Sequence, residues 1–219
     1  MGPEPRRRCI ARLAFAALLA LAASPQLAAY SYRMISDEAL LAQSPVVFTA
    51  RVAEVLKPEP DAAGVVRETR YRLDVLGRHK GALPDEVVLV LPGATSAHRG
   101  PRYAGIPRYA VGEILMLFAA QHARGDYRPM QLLLGVFRGM KKDGAELLVR
   151  PLDEEGAVDP GFNATYAQAR DMRRFVAWVE ATARGAVAPA DYFAPVPQEA
   201  AAKFTQMYLD FGSAGRFPA

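Results

Sequence analysis

Apolar and polar residues alternate most clearly in ETRYRLDVLG, Glu68 to Gly77, where Thr69, Tyr71, Leu73 and Val75 share one face and Glu68, Arg70, Arg72 and Asp74 the other. A period of two with one apolar and one charged side predicts a β-strand with a buried and a wet face. Upstream, VVFTARVAEVL (Val46 to Leu56) reads as another strand, Phe48, Ala50 and Val52 alternating with Thr49 and Arg51. A bend or bulge is expected where Ala53 interrupts the bulkier pattern. Val87 to Leu91, Ile114 to Ala119 and Met130 to Phe137 are apolar runs that read as a third, fourth and fifth strand. KKDG (Lys141 to Gly144) is a hairpin-type turn into a sixth, ELLVRPL, while KPEPDAAG, RHKGALPD and QHARGDYR are turns by composition.

Helical spacing appears only at the two ends of this run. Asp37 to Gln43 reads as a short helix capped by Ser36, with Asp37 and Glu38 favouring the positive end of its dipole and Pro45 stopping it. Near the other end, Met172, Phe175, Val176 and Val179 recur at helical spacing, with Thr165 as N-cap, Gly185 as stop, and Trp178 expected to pack the helix on the strands. A proline-containing linker follows, and then QEAAAKFTQMYLDFG reads as a second helix through Phe204, Tyr208 and Phe211. Five or six strands at short spacing without intervening helices predict a mainly β protein, a small antiparallel barrel or sandwich.

The first residues change the picture of compartment and charge. Arg6, Arg7 and Arg8 precede the apolar run LAFAALLALAAS (Leu13 to Ser24) and the small residues of PQLAA, the layout of a secretory signal peptide cleaved after Ala29. The expected organisation is therefore a signal peptide over 1–29, a barrel over 30–152 and a helical C-terminal segment over 153–219. Residues 1–29 hold four arginines against Glu4, so +3 of the chain's +4 leaves with them and the mature chain carries only +1. Nucleic acid is then not an expected partner, and no later segment is long and apolar enough to serve as a membrane anchor. The only cysteine, Cys9, also leaves, so the exported protein must rest on its hydrophobic core rather than on disulfides.

Candidate chemistry is sparse. His79, His98 and His122 fall in three different predicted turns, without HExxH or paired spacing, and no metal or cofactor is expected. His98 lies two residues from Ser96, but no GxSxG accompanies them. The paired carboxylates Asp37-Glu38, Asp85-Glu86 and Asp153-Glu154-Glu155 sit at turns and element ends, where acids are expected for structural reasons. Gly-rich phosphate loops are absent. Arg51, Arg70 and Arg72 could form a basic strand face, but Glu68 and Asp74 interleave and make it charge-balanced. Asn163-Ala-Thr165 matches a glycosylation sequon. No residue is assigned a catalytic role.

The stretch PGATSAHRGPRYAGIPRYAVGE, Pro92 to Glu113, is longer than a connection between strands requires. Arg102, Tyr103, Arg108 and Tyr109 have the composition of a protein interface, and they are the candidate binding residues. The alternative is that both tyrosines fold back to cover a barrel end. The segment 93–100 is expected to be mobile and exposed, and 103–112 ordered.

SPVVFTARVAEV, LDVLGRHKG, VVLVLPGA, AGIPRYAVGEILMLF and RPMQLLLGVFRG together resemble a domain of exported bacterial proteins. That domain is similar in layout to the OB-type barrel of tissue inhibitors of metalloproteinases. The resemblance covers about Ser36 to Arg150, about the length of one small barrel. It implies an OB-like barrel and a secreted, matrixin-type metalloprotease as partner. It does not extend to zinc chelation, because those inhibitors use an N-terminal cysteine that the mature chain lacks, nor to protease activity, because no HExxH is present. The expectation is an exported, non-enzymatic protein-binding module. The alternative is a hydrolase or protease accessory with its site at the barrel mouth near His98 and Tyr103.

Overall fold

The computed structural model describes residues 35–95, 97–103, 106–142, 144–150 and 168–195. The expected signal peptide with its cleavage site, Thr165, the sequon at Asn163 and the second C-terminal helix lie outside the described residues. Helix α1 (Asp37–Gln43) opens as expected: Ser36 accepts from the Ala39 N–H at 3.2 Å. Ser44 ends it, its N–H and Oγ both donating to the Leu40 carbonyl.

Strand β1 (Val46–Val55) follows, then β2 (Glu68–Lys80), β3 (Glu86–Pro92), β4 (Ile114–Gln121) and β5 (Tyr127–Pro129). They pair in the order β1-β2-β3-β5-β4, and β1 pairs back with β4, which closes a five-stranded barrel. A 3-10 turn (Leu132–Gly135) leads into β6 (Val136–Lys142) and β7 (Ala145–Val149), which extend the sheet outward from β4. The two-residue β8 (Arg170–Asp171) adds to β7, and α2 (Met172–Ala183) begins directly after it.

Three expectations are corrected here. The fifth barrel strand is Tyr127–Pro129, which overlaps the end of the segment read as a turn (Gln121 to Arg128), and Met130–Phe137 is not a strand throughout. An apolar run alone does not separate strand from buried turn. Here Gln131 and Leu132 take positive φ, and a Cβ on Gly135 would sit 2.2 Å from the Met130 carbonyl oxygen, so the chain doubles back before β6. Second, the barrel is not wholly antiparallel: β3 and β5 meet in parallel through Leu89 and Tyr127. Third, α2 starts at Met172 with Asp171 as N-cap, accepting from the Arg174 N–H at 2.9 Å, because residues 170–171 are used as strand. Gly185, at φ 83, follows the helix end as expected.

The bulge at Ala53 is present. Strand β2 carries two more, at Leu76 and His79, and these let it run on to Lys80 where alternation had stopped at Gly77. The β1–β2 pair is thereby bent and twisted into the barrel wall. Thr69, Tyr71 and Leu73 point inward as expected, with Phe48, Ala50, Val52, Leu89, Leu115 and Leu117. A second apolar cluster lies outside the barrel. There Val47, Met116, Phe118, Phe137 and Leu148 from the sheet meet Phe175, Trp178 and Val179 of α2, with the Trp178 ring stacked on Phe175 at 5.7 Å. Helix α2 therefore covers the β1–β4–β6 side of the wall and the C-terminal end of β2, while the N-terminal part of β2 keeps its charged face toward water. Among the described residues no helix is long and apolar enough to cross a membrane.

Candidate functional site

The long loop is held at several points. Gly93 N–H donates to the Arg67 carbonyl, Ala94 N–H to Pro101, Val66 N–H to Arg99 and Gly112 N–H to Val52. Gly93 and Ala94 are buried, so the expectation that 93–100 is exposed throughout is corrected; residues 97–99 are the exposed part. A Cβ on Gly100 would lie 1.9 Å from the Val66 carbonyl oxygen, which explains why glycine occupies that position.

The four candidate binding residues separate into two pairs. Tyr109 is buried, its ring 5.5 Å from Tyr71 in a T-shaped contact with the Arg138 guanidinium over it. Arg108 donates to Thr69 Oγ1 at 2.8 Å and to the Ala94 carbonyl at 2.6 Å. These two close the barrel end from within. Arg102 is exposed and Tyr103 half-buried against the inner cluster, so this pair reaches the surface.

His98 Nδ1 meets Thr95 Oγ1 at 2.7 Å, a local contact within its own turn, and Ser96 lies outside the described residues. His122 Nδ1 stands 3.6 Å from Asp126 across the β4–β5 turn. Among the described residues no three metal-ligating side chains converge. On the wet wall, Arg70 pairs with Glu59, Arg72 with Glu54 and Glu86, Arg78 with Asp85, and Arg128 with Glu68. This wall is charge-balanced, unlike a phosphate-binding surface.

His79 is the histidine whose surroundings the sequence least foretold. It sits at the second β2 bulge rather than in a turn, and its ring is almost enclosed between strand β1 and helix α2. His79 Nε2 lies 2.7 Å from Thr49 Oγ1, and Nδ1 lies 2.9 Å from Glu180 Oε1. In the neutral tautomer that satisfies both contacts, Nδ1–H donates to the carboxylate and Nε2 accepts from the threonine hydroxyl. Chemically this chain ties α2 to the barrel, and it also polarises a hydroxyl with a carboxylate-backed imidazole. Alternation along β2 could not reveal it, because the bulge re-aims the ring and Glu180 is supplied from 101 residues away.

A second polar node lies beneath α2. Asp37, read as a helix-dipole acid, is buried and holds four contacts. Arg150 Nη2 donates to it at 2.7 Å, Arg170 Nε and Nη2 at 2.9 and 3.1 Å, and the Tyr192 hydroxyl at 3.0 Å. The guanidiniums of Arg150 and Arg170 lie over the Phe137 ring. Burial, together with the Asp37 carboxylate, pushes the Tyr192 hydroxyl well above its ordinary pKa. The node is enclosed, and its chemistry is structural.

No protein-family model matches the chain, and no curated protein matches its sequence.

Proposed function

We propose that the chain is an exported binding module whose barrel grips another protein at its loop end. The single observation that carries this reading is the distribution of exposed large apolar side chains. Of the five among the described residues, Val55, Val111 and Met140 all lie at the end where β1 finishes, β4 begins and the β6–β7 hairpin projects. Singly such residues need no explanation, but a group at one end, beside Arg102 and Tyr103, favours an interface. The strand order, with β3 and β5 parallel, supports reading the barrel as OB-like, a fold whose loops serve as binding elements. A secreted matrixin-type metalloprotease is the partner that the family resemblance suggests, engaged without zinc chelation.

The test is capture from the exported fraction by the tagged mature chain. Val111→Asp should abolish capture and leave folding intact. Val187→Asp, at a fully exposed site on the loop after α2, should not affect capture. Equal capture by both variants would refute the reading. For the alternative of a hydrolase site near His98 and Tyr103, the described residues show His98 bonded to the Thr95 hydroxyl of its own turn, and they bring no carboxylate to it.

A further inference from the structure

We propose that Thr49, His79 and Glu180 form an acyl-transfer site at the seam between the barrel wall and α2, acting on small esters that carry negative charge. The loop-end binding surface lies elsewhere, and neither proposal depends on the other. The hydroxyl, the two imidazole nitrogens and the carboxylate are in series at 2.7 and 2.9 Å, the order and reach that nucleophilic catalysis requires. Each comes from a different element, so their alignment is a product of the fold. The ring is held on both sides with only 8% of its side chain exposed, while Glu180 and Thr49 reach solvent at the rim. The strand bulge at His79 is what aims the ring, and bulges are frequent beside active sites.

The substrate class follows from what surrounds the hydroxyl. Arg51 lies two residues along the same outward face of β1, about 7 Å away along the strand. Arg184, four residues after Glu180, is the C-cap of α2. Both are exposed and make no side-chain hydrogen bond or ion pair among the described residues, unlike Arg70, Arg72, Arg78 and Arg128 on the wet wall. Leu76, the other bulged residue of β2, is 51% exposed beside Thr49's partner Gly77 and offers an apolar contact. The main chain of Thr49 is enclosed by both neighbouring strands, opposite Gly77 and Met116. The Thr49 main chain therefore supplies no donor to the substrate, and Arg51 and Arg184 are assigned to the negative charge that the ester carries.

The step balances with water as the only co-reactant. Thr49 Oγ bonds to the ester carbonyl carbon while its proton moves to His79 Nε2. The carbon–oxygen bond to the alcohol then breaks, and Nε2 returns the proton to the departing oxygen. Water attacks the acyl-Thr49 ester with His79 again as base, releasing the carboxylic acid and restoring the hydroxyl. Glu180 stays ionised throughout and holds Nδ1–H.

The experiment uses the purified full chain, 4-nitrophenyl succinate as anionic ester, 4-nitrophenyl acetate as neutral control, and a fluorophosphonate probe located by mass spectrometry. The expected result is probe on Thr49, faster turnover of the succinate than of the acetate, and a loss of at least about 100-fold in Thr49→Val and His79→Gln. Thr49→Ser should fold and keep the label, and Arg51→Gln should remove the preference for the anionic ester. Absence of label on Thr49 in the unaltered chain overturns the proposal without recourse to any variant. So does hydrolysis that persists undiminished in Thr49→Val. If Glu180→Gln lowers only the melting temperature and the unaltered chain has no esterase activity, the three residues are a tether alone.

Discussion

The Tyr192 hydroxyl donates to Asp37 Oδ2 at 3.0 Å across 155 residues of chain, joining the first turn of α1 to the segment that leaves α2. Arg170, on β8, reaches the same carboxylate with two nitrogens. One buried acid thus connects α1, the strand before α2 and the segment after it to Arg150 at the end of β7.

Asp37→Ala should therefore be among the most damaging single substitutions in the described chain. It leaves Arg150 and Arg170 buried without their shared carboxylate, an effect on the order of 3–5 kcal/mol. Chemical denaturation should show a lower midpoint for Asp37→Ala, whereas Glu38→Ala, one residue on and less buried, should move it by less than about 0.5 kcal/mol. Equal effects at the two positions would mean that the node contributes nothing beyond helix capping.

Tyr192→Phe should reveal the same node through pH. The folded state holds the phenolic proton above the ordinary tyrosine value of 10.0, so the unfolded chain releases it first as pH rises. The stability contributed by Tyr192 is then fully present below about pH 10 and is lost progressively above it. Wild type should be more stable than Tyr192→Phe at neutral pH, by about 1.5–3 kcal/mol for a hydrogen bond to a charged group. The gap should narrow on going to strongly alkaline pH. A gap independent of pH would remove Asp37 from the account of that tyrosine.

Tyr71→Ala should cost about 3–5 kcal/mol, since its ring is buried inside the barrel and packs edge-on against Tyr109. Tyr109→Ala should be comparably costly, and the pair should be non-additive because each loses the other as a neighbour. By contrast, Arg102→Ala should leave the melting temperature nearly unchanged. An unaffected melting temperature for Tyr109→Ala would show that the tyrosine does not plug the barrel end.

Gly100→Ala should strain the long loop against Val66, because the new methyl would meet the Val66 carbonyl oxygen at 1.9 Å. Overpacking of this kind costs about 1–3 kcal/mol. Hydrogen exchange should then quicken at the Val66 and Ala94 amides, which are bonded to Arg99 and Pro101. Exchange faster throughout the molecule would point instead to global loss of stability.

Local pattern alone was enough for the buried faces of β2 and α2, though not for the end of β2 at Lys80 or the start of α2 at Met172. Tyr71 and Leu73 point inward, and Phe175 and Val179 face the sheet, because one wet face and one dry face leave a period in the chain itself. The Ser36 cap, the Ala53 bulge and the stop at Gly185 were equally legible, since each depends on a few neighbouring residues. Strand β5 was not: three residues, two of them buried, are too short to show a period, and only Leu89 on β3 and the Ala119–Gln121 edge of β4 make Tyr127–Pro129 a strand. The roles of Asp37, His79 and Tyr109 depended on the tertiary structure in the same way. A carboxylate in a first turn, a histidine near a glycine and a tyrosine after an arginine look alike whether they face water or the interior. Their partners Arg150, Arg170, Tyr192, Glu180 and Tyr71 lie between 38 and 155 residues away, and closing the barrel and docking α2 on its wall brought them within reach.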